Sequence, residues 1–356
     1  MLAQGRYIEG GGKKKRYQLE MGICISSASG RDHERKVIPQ FLDFGEENLY
    51  SHRIPGLASL HSHEGKKGPN QDSAIISKGY GSEDGVFCGV FDGHGRNGRL
   101  VSRIVRDRLP SLILNQHKTI SSSIYSNIGE SFDNADRIHD PDFVSTTMLE
   151  HWRESSISAF KALDKELKLL EELDCSGSGT TAVTIIKQGE DVIIANLGDS
   201  RAVLGTRSDE GTLMALQLTT DLKPSVPQEA ERIRNSRGRV FALKEEPNIQ
   251  RVWLPDDDMP GLAMARAFGD FMLKSYGIIA IPQMSHYRIS DRDEFLVLAT
   301  DGVWDVLSNE EVVFIVSSAE SEEAAAQALV EEAVRAWKHK FPCTRADDCT
   351  AICLFL

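Results

Sequence analysis

The sequence predicts an α+β protein built on antiparallel sheet, and three observations carry that expectation. From Gly177 the run SGSGTTAVTIIKQGEDVIIANLGDSRAVLGT follows a period of two around a Gln-Gly-Glu-Asp turn, and strands joined by such short turns pair antiparallel. Elsewhere Leu149, Trp152, Phe160, Leu163, Leu167 and Leu170 recur at three- and four-residue steps, the stripe of a long amphipathic helix whose apolar face is core. Apolar residues at 40% and charged residues at 26% of 356 suit a folded globular chain, with room for one large domain and a tail.

The formal net charge of −12 argues against non-specific nucleic-acid binding and suits a site that gathers cations. No run approaches the ~18 apolar residues of a membrane span. The six cysteines are scattered without a CxxC pair, the usage of reduced thiols in an intracellular compartment.

Residues 1–56 read as a flexible tail rich in Gly, Ser and charge. Within it, Met21-Gly22-Ile23-Cys24-Ile25-Ser26 fits the myristoylation pattern, with Cys24 available for a second lipid. Plasma-membrane association through Gly22 requires that translation start at Met21 or that the first twenty residues be removed. Lys13-Lys14-Lys15-Arg16 reads as a solvated charge run or a nuclear address.

Ordered structure is expected from about Gly56. Two strands flank a Gly/Pro loop in LASLHSHEGKKGPNQDSAII, a loop carrying Lys67 and Asp72. Val86–Phe91 is a buried strand, followed by a helix over Arg99–Leu109 that Pro110 closes. Gln116–Ser145 reads as a variable loop ahead of the amphipathic helix. After the period-two region come a short strand at Leu216–Leu218, a brief helix at Pro227–Arg234 with Glu229 and Glu231 suited to its dipole, and strand-like pieces over Arg239–Leu254. Gly261–Leu273 mixes small and apolar residues around Arg266 and Asp270. Asp293–Thr300 is a strand; Ser308-Asn309-Glu310-Glu311 opens a helix; a further helix runs through Ala326, Leu329, Val330, Ala333 and Trp337; and Cys349–Leu356 closes the chain as an apolar strand.

The candidate chemistry begins at Phe87–Arg99, FCGVFDGHGRNGR, where a strand breaks into an acid, a histidine and three glycines. Glycine lets a backbone carbonyl approach a ligand, and histidine transfers protons near neutral pH. A strand-to-helix turn accounts for this stretch equally well. The other strand borders break that tie: Asp92, Asp199 and Asp301 follow β-rich runs, and Asp347 precedes one. Carboxylates gathered without their own cations repel one another unless hard divalent ions compensate. An oxygen-only set favours Mg²⁺ or Mn²⁺ over Zn²⁺, and paired ions activate water against a phosphoryl group. These residues point to metal-assisted hydrolysis of a phosphate ester.

FDGHG, SGTTAV, NLGDSRAVL, AMARAFGD, ATDGVWDVLS and DDCTAICL, in this order over roughly Leu57–Leu356, resemble the metal-dependent type 2C protein serine/threonine phosphatases, in a plant clade with a KKGPNQD-type first motif. The resemblance implies an αββα sandwich of two antiparallel sheets flanked by helices, with a catalytic domain at 57–356. It implies an enzyme acting on phosphoserine and phosphothreonine proteins in signalling, with two Mg²⁺ or Mn²⁺ ions; the chain is expected to be a monomer of the cytoplasm, nucleus or plasma membrane. By motif, Asp92 bridges both ions, the Gly93 carbonyl binds the second, Asp301 and Asp347 hold the first, and Asp72 orients a metal-bound water. His94 is the general acid for the leaving serine or threonine oxygen. Asp199 and Asp305, with Asp301, form a weaker third metal site, and Asp348 is a neighbour and not a ligand. Lys67 stands where many members bind the substrate phosphate through arginine; a lysine supplies charge without a bidentate fork. Leu222 replaces a frequent histidine near the substrate flap. A catalytically weak relative would have lost a metal ligand and none is lost, and a calcium binder would show EF-hand spacing, which is absent.

Overall fold

Every residue of Val86–Phe91 (β4) is buried, so the sheet it belongs to must be covered on both faces. In the computed structural model, which describes residues 51–54, 56–128, 141–343 and 345–356, β4 lies inside a five-stranded sheet. Its neighbours are Ser73–Lys78 (β3), Ala182–Gln188 (β7), Asp191–Leu197 (β8) and Gln283–Arg288 (β15), in the order β15-β8-β7-β4-β3. A six-stranded sheet is formed by Ser51–Ile54 (β1), Ala58–His63 (β2), Cys349–Phe355 (β17), Asp293–Ala299 (β16), Arg201–Arg207 (β9) and Leu213–Gln217 (β10), in that order. All pairings within both sheets are antiparallel.

The period of two sorts side chains between layers. Cys88 and Val90 of β4 meet Leu296 and Leu298 of β16 and Ile352 of β17 between the sheets. The alternate residues Phe87 and Phe91 point outward onto Gly98–Ile128 (α1) and Pro141–Lys168 (α2), through Val105, Leu109, Phe160 and Leu163. On the other side Phe295, Val297 and Cys353 meet Val312, Val316, Leu329 and Trp337 of Asn309–Ser317 (α6) and Ala325–Lys340 (α7). The layers are helix, sheet, sheet, helix: the αββα sandwich of the sequence reading. Ser308 caps α6 in a capping box with Glu311, as its sequence predicts.

The structure corrects the expected boundaries. β1 lies before Gly56 and pairs with β2, Ser51 opposite His61; four residues of mixed polarity, SHRI, are held by that ladder and give no pattern to read. Pro110 does not close α1, which continues to Ile128. Val101, Val105, Leu109 and Ile113 form one buried stripe across the proline, and this burial offsets the lost backbone bond. The segment expected as a loop over Gln116–Ser145 is therefore helical to Ile128 and again from Pro141. β15 was not predicted, because QMSHYR is a polar edge strand. The myristoylation pattern at Gly22 and the basic run at Lys13–Arg16 lie outside the described residues. Among the described residues no helix is long and apolar enough to cross a membrane.

Candidate active site

In an antiparallel sheet the end of one strand lies beside the start of the next, and the acids use this. Asp92 follows β4 and Asp72 precedes β3, whose Ser73 pairs with Phe91. Asp199 follows β8, whose Leu197 pairs with Ala182 beside them. Asp301 follows β16 and opens a short helix, Asp301–Trp304 (α5), while Asp347 precedes β17, whose Ala351 pairs with Ala299. Both sheets thus present carboxylates at one edge of the sandwich. There Lys67, Asp92, Gly93, His94, Asp199, Asp301, Asp305 and Asp347 line one cleft of about 530 Å³. Asp72 is not on its wall; it is buried behind, where the Thr300 hydroxyl donates to its Oδ2 at 2.9 Å.

The backbone of Asp92 is pinned by Gly179–Thr180 (β6) and Thr181, the SGTT stretch. The Thr181 N–H and the Thr180 hydroxyl both donate to the Asp92 carbonyl at 2.9 Å, and the Asp92 N–H donates to the Thr181 hydroxyl at 3.0 Å. A Cβ on Gly93 would stand 2.5 Å from the carbonyl oxygens of Gln71 and Gly98, so only glycine fits beneath the acid.

These acids repel one another. Burial, then Asp301, Asp72 and Asp347, hold Asp92 well above the usual carboxylate range. Burial and Asp199 do the same for Asp301. Asp72 is pushed up to about 8 by burial and Asp348, and Asp199 to about 6 by burial, with Lys223 opposing. Two ammonium groups compensate in part: Lys67 pairs with Asp347, and Lys223 lies 3.9 Å from Asp199 and 3.8 Å from Asp305. Asp199 Oδ1 is buried without a hydrogen-bond partner. Crowded, under-compensated oxygen donors suit a hard divalent cation. Among the described residues no three acid, histidine or cysteine side chains already gather round one point. An ion here would complete its shell with a backbone carbonyl and water, as Mg²⁺ does.

Four features escaped the sequence reading. Asp270 lies against His94, its Oδ2 at 2.6 Å from Nε2; the FGD acid was visible, its partner was not. Lys223 follows the unusual Leu222, itself buried, and reaches the acids across the cleft. Asp348 accepts from the N–H groups of Gly65 at 2.7 Å and Gln71 at 2.8 Å, clamping the loop that carries Lys67. Arg251, of Gln250–Trp253 (β12), lines the cleft from a small sheet it forms with Arg239–Ala242 (β11) and Pro260–Leu262 (β13).

Known proteins share sequence and fold with this chain. The family model described as protein phosphatase 2C matches residues 60–339. The protein called probable protein phosphatase 2C 12 of Oryza sativa subsp. japonica is 51% identical over an alignment covering 94% of this chain and 92% of its own. Probable protein phosphatase 2C 1 of Arabidopsis thaliana is also 51% identical, over 95% of this chain and 74% of its own. Among solved structures, a serine-threonine phosphatase 2C from Toxoplasma gondii superposes with a TM-score of 0.72 at 29% identity, over 86% of this chain and 97% of that one. A shared family model, close plant relatives and a common sandwich lead to one conclusion: the chain belongs to the protein phosphatase 2C family, whose members are metal-dependent serine/threonine phosphatases.

Proposed function

We propose that this chain hydrolyses phosphoserine and phosphothreonine in protein substrates of plant signalling, using the strand-edge cleft as its active site. The observation that carries the reading is the set of crowded, mutually repelling carboxylates Asp92, Asp199 and Asp301 in the cleft that also holds Lys67 and His94. Asp92, the Gly93 carbonyl, Asp301 and Asp347 would hold two Mg²⁺ or Mn²⁺ ions, with Asp199 and Asp305 contributing to a weaker third site. When bound, such ions lower the pKa of water and neutralise phosphoryl charge.

The chain's own residues supply the rest. Lys67, on the loop clamped by Asp348, offers the phosphate a point charge. Asp72, buried and fixed by Thr300, orients the attacking water. His94 protonates the departing serine or threonine oxygen, a service a poor leaving group needs and an aryl oxide does not.

The test is release of phosphate from a phosphothreonine peptide by the purified chain. Turnover that requires Mn²⁺ or Mg²⁺ and stops with EDTA is expected; metal binding without turnover on any phosphopeptide overturns the reading. The chain is read as a monomer of the cytoplasm or nucleus, joining the plasma membrane if Gly22 is the acylated N-terminus. Mass spectrometry of the native N-terminus decides that last point.

A further inference from the structure

We infer that the groove between the end of β2 and the end of α7 is the docking site of a segment of this chain itself, Phe41–Tyr50, which runs up to the start of β1. The groove has a volume of about 310 Å³, the small end of the range for a binding pocket. That is room for one or two large side chains and not for a folded partner. It is lined by the apolar Val334, Trp337 and Phe341 and by the cations Lys66 and Lys338. The Phe341 ring lies 5.3 Å from the Trp337 ring, centroid to centroid, and is 42% exposed. The two acids that line the groove are already engaged: Glu64 accepts from the Asn70 N–H at 3.1 Å, and Asp347 pairs with Lys67. Among the described residues Lys66 and Lys338 form no ion pair.

The direction of the chain selects the occupant. β1 runs antiparallel to β2 with Ser51 opposite His61. Extending that ladder backwards brings Tyr50 beside Ser62 and Leu49 beside His63, and His63 lines the groove. Residues 1–50, which lie outside the described residues, therefore join the sheet at the mouth of the groove. An extended chain advances ~3.3 Å per residue, so Phe44 has a reach of about 23 Å from Ser51.

The composition of the segment matches the lining. FLDFGEENLY offers Phe41, Leu42, Phe44, Leu49 and Tyr50 to the apolar residues, and Asp43, Glu46 and Glu47 to the two lysines, with no basic residue of its own. Burial of an aromatic ring contributes more than an exposed ion pair. The rings thus supply the hold and the acids the orientation. Tethering separates this segment from an acidic peptide of another molecule, because a short linker sets an effective concentration on the order of millimolar. Two copies of net charge −12 repel each other besides. The groove adjoins the cleft: the Lys66 N–H donates to the Ala346 carbonyl at 2.8 Å, and the next residues along the chain are Lys67 and Asp347. The docked segment packs against the contact that joins those two.

The experiment is zero-length carbodiimide cross-linking of the purified full chain, read by mass spectrometry of its peptides. The reagent joins a carboxylate to an ammonium group where the two touch. Docking predicts amides from Asp43, Glu46 or Glu47 to Lys66 or Lys338 within one chain. Replacing both rings, Phe41→Ser with Phe44→Ser, should lower their yield roughly 10-fold. An equal mixture of ¹⁴N- and ¹⁵N-labelled chains distinguishes the occupants. Amides that join a light chain to a heavy one would put a second copy in the groove and overturn the inference. Absence of amides at Lys66 and Lys338, or amides from these acids to other lysines alone, would overturn it too. A yield that the serine variant leaves unchanged would show charges meeting by chance, with no seat for the rings. If the serine variant does not fold, the wild-type pattern of amides decides by itself.

Discussion

Two places in this molecule bury carboxylates, and they do so with opposite electrostatics. On Pro227–Asn235 (α3), Glu229 is 3% exposed, yet Arg266 holds both its oxygens at 2.6 and 2.9 Å and Arg232 approaches at 2.7 Å. Burial raises its pKa, the two guanidinium groups outweigh burial, and the net direction is downward. At the sandwich edge Asp92 and Asp301 are half-buried, no arginine among the described residues pairs with them, and their shift is strongly upward. The first arrangement is finished by the chain itself. The second is compensated only in part, by Lys67 and Lys223, which suits it to a cation.

The sharpest way to break this contrast is to neutralise one acid in each place. Asp92→Asn should lower phosphopeptide turnover by ~10³-fold, about 4 kcal/mol of barrier, and abolish tight Mn²⁺ binding by calorimetry. In EDTA the same variant should melt a few degrees higher than wild type, because one source of repulsion is gone. Glu229→Gln should do the reverse: the folded protein loses about 3 kcal/mol, read by urea denaturation, and keeps its Mn²⁺ affinity. A melting point of Asp92→Asn below wild type in EDTA would show that the edge acids are satisfied without ions.

The pH dependence separates the two places by sign. A raised folded pKa means that the native state holds protons the unfolded chain has released. For Asp199 near 6 and Asp72 near 8, that stabilisation is complete below about pH 4 and is lost as pH rises through 6 and then 8. Glu229, with a lowered pKa, contributes above the usual glutamate value and is lost on acidification. In EDTA, calorimetric stability of Glu229→Gln should therefore fall more steeply between pH 5 and 8 than that of the wild type carrying Asp72→Asn. Added Mg²⁺ should raise the melting point more at pH 8 than at pH 6, because ion binding requires the ionised acids.

How far these features were legible from sequence follows the range of the interactions that make them. Asp92, Asp199, Asp301 and Asp347 were readable because each sits at the border of a strongly β-patterned run, and antiparallel pairing brings such borders to one edge. The layered sandwich was readable as strand alternation plus two amphipathic helical stretches. Asp270 was not: its partner lies 176 residues away in sequence, and its left-handed turn follows a three-stranded unit, Gly93–His94 (β5), β6 and Phe268–Gly269 (β14), whose strands are each two residues long. Glu229 read only as a helix-start acid, since Arg266 reaches it from 37 residues downstream. α1 beyond Pro110 was hidden because local chemistry says stop while long-range burial says continue.

The smallest expected effect concerns the lysine that half-compensates the edge acids. Lys223 is partly exposed and stands 3.9 Å from Asp199 and 3.8 Å from Asp305, so its attraction to them is screened by water and salt. Replacing it with methionine keeps the aliphatic stem and removes the charge. Divalent binding should then tighten by no more than about 5-fold, the equivalent of the ~1 kcal/mol that such pairs reach. The gain should fade in ~1 M KCl, where the screening length falls to about 3 Å. Calorimetric titration of Mn²⁺ at low and high salt measures both. Weaker binding in Lys223→Met would mean that the ammonium organises Asp199 and Asp305 for the ion instead of competing with it, and the edge would then resemble the Glu229 node more than its pKa shifts suggest.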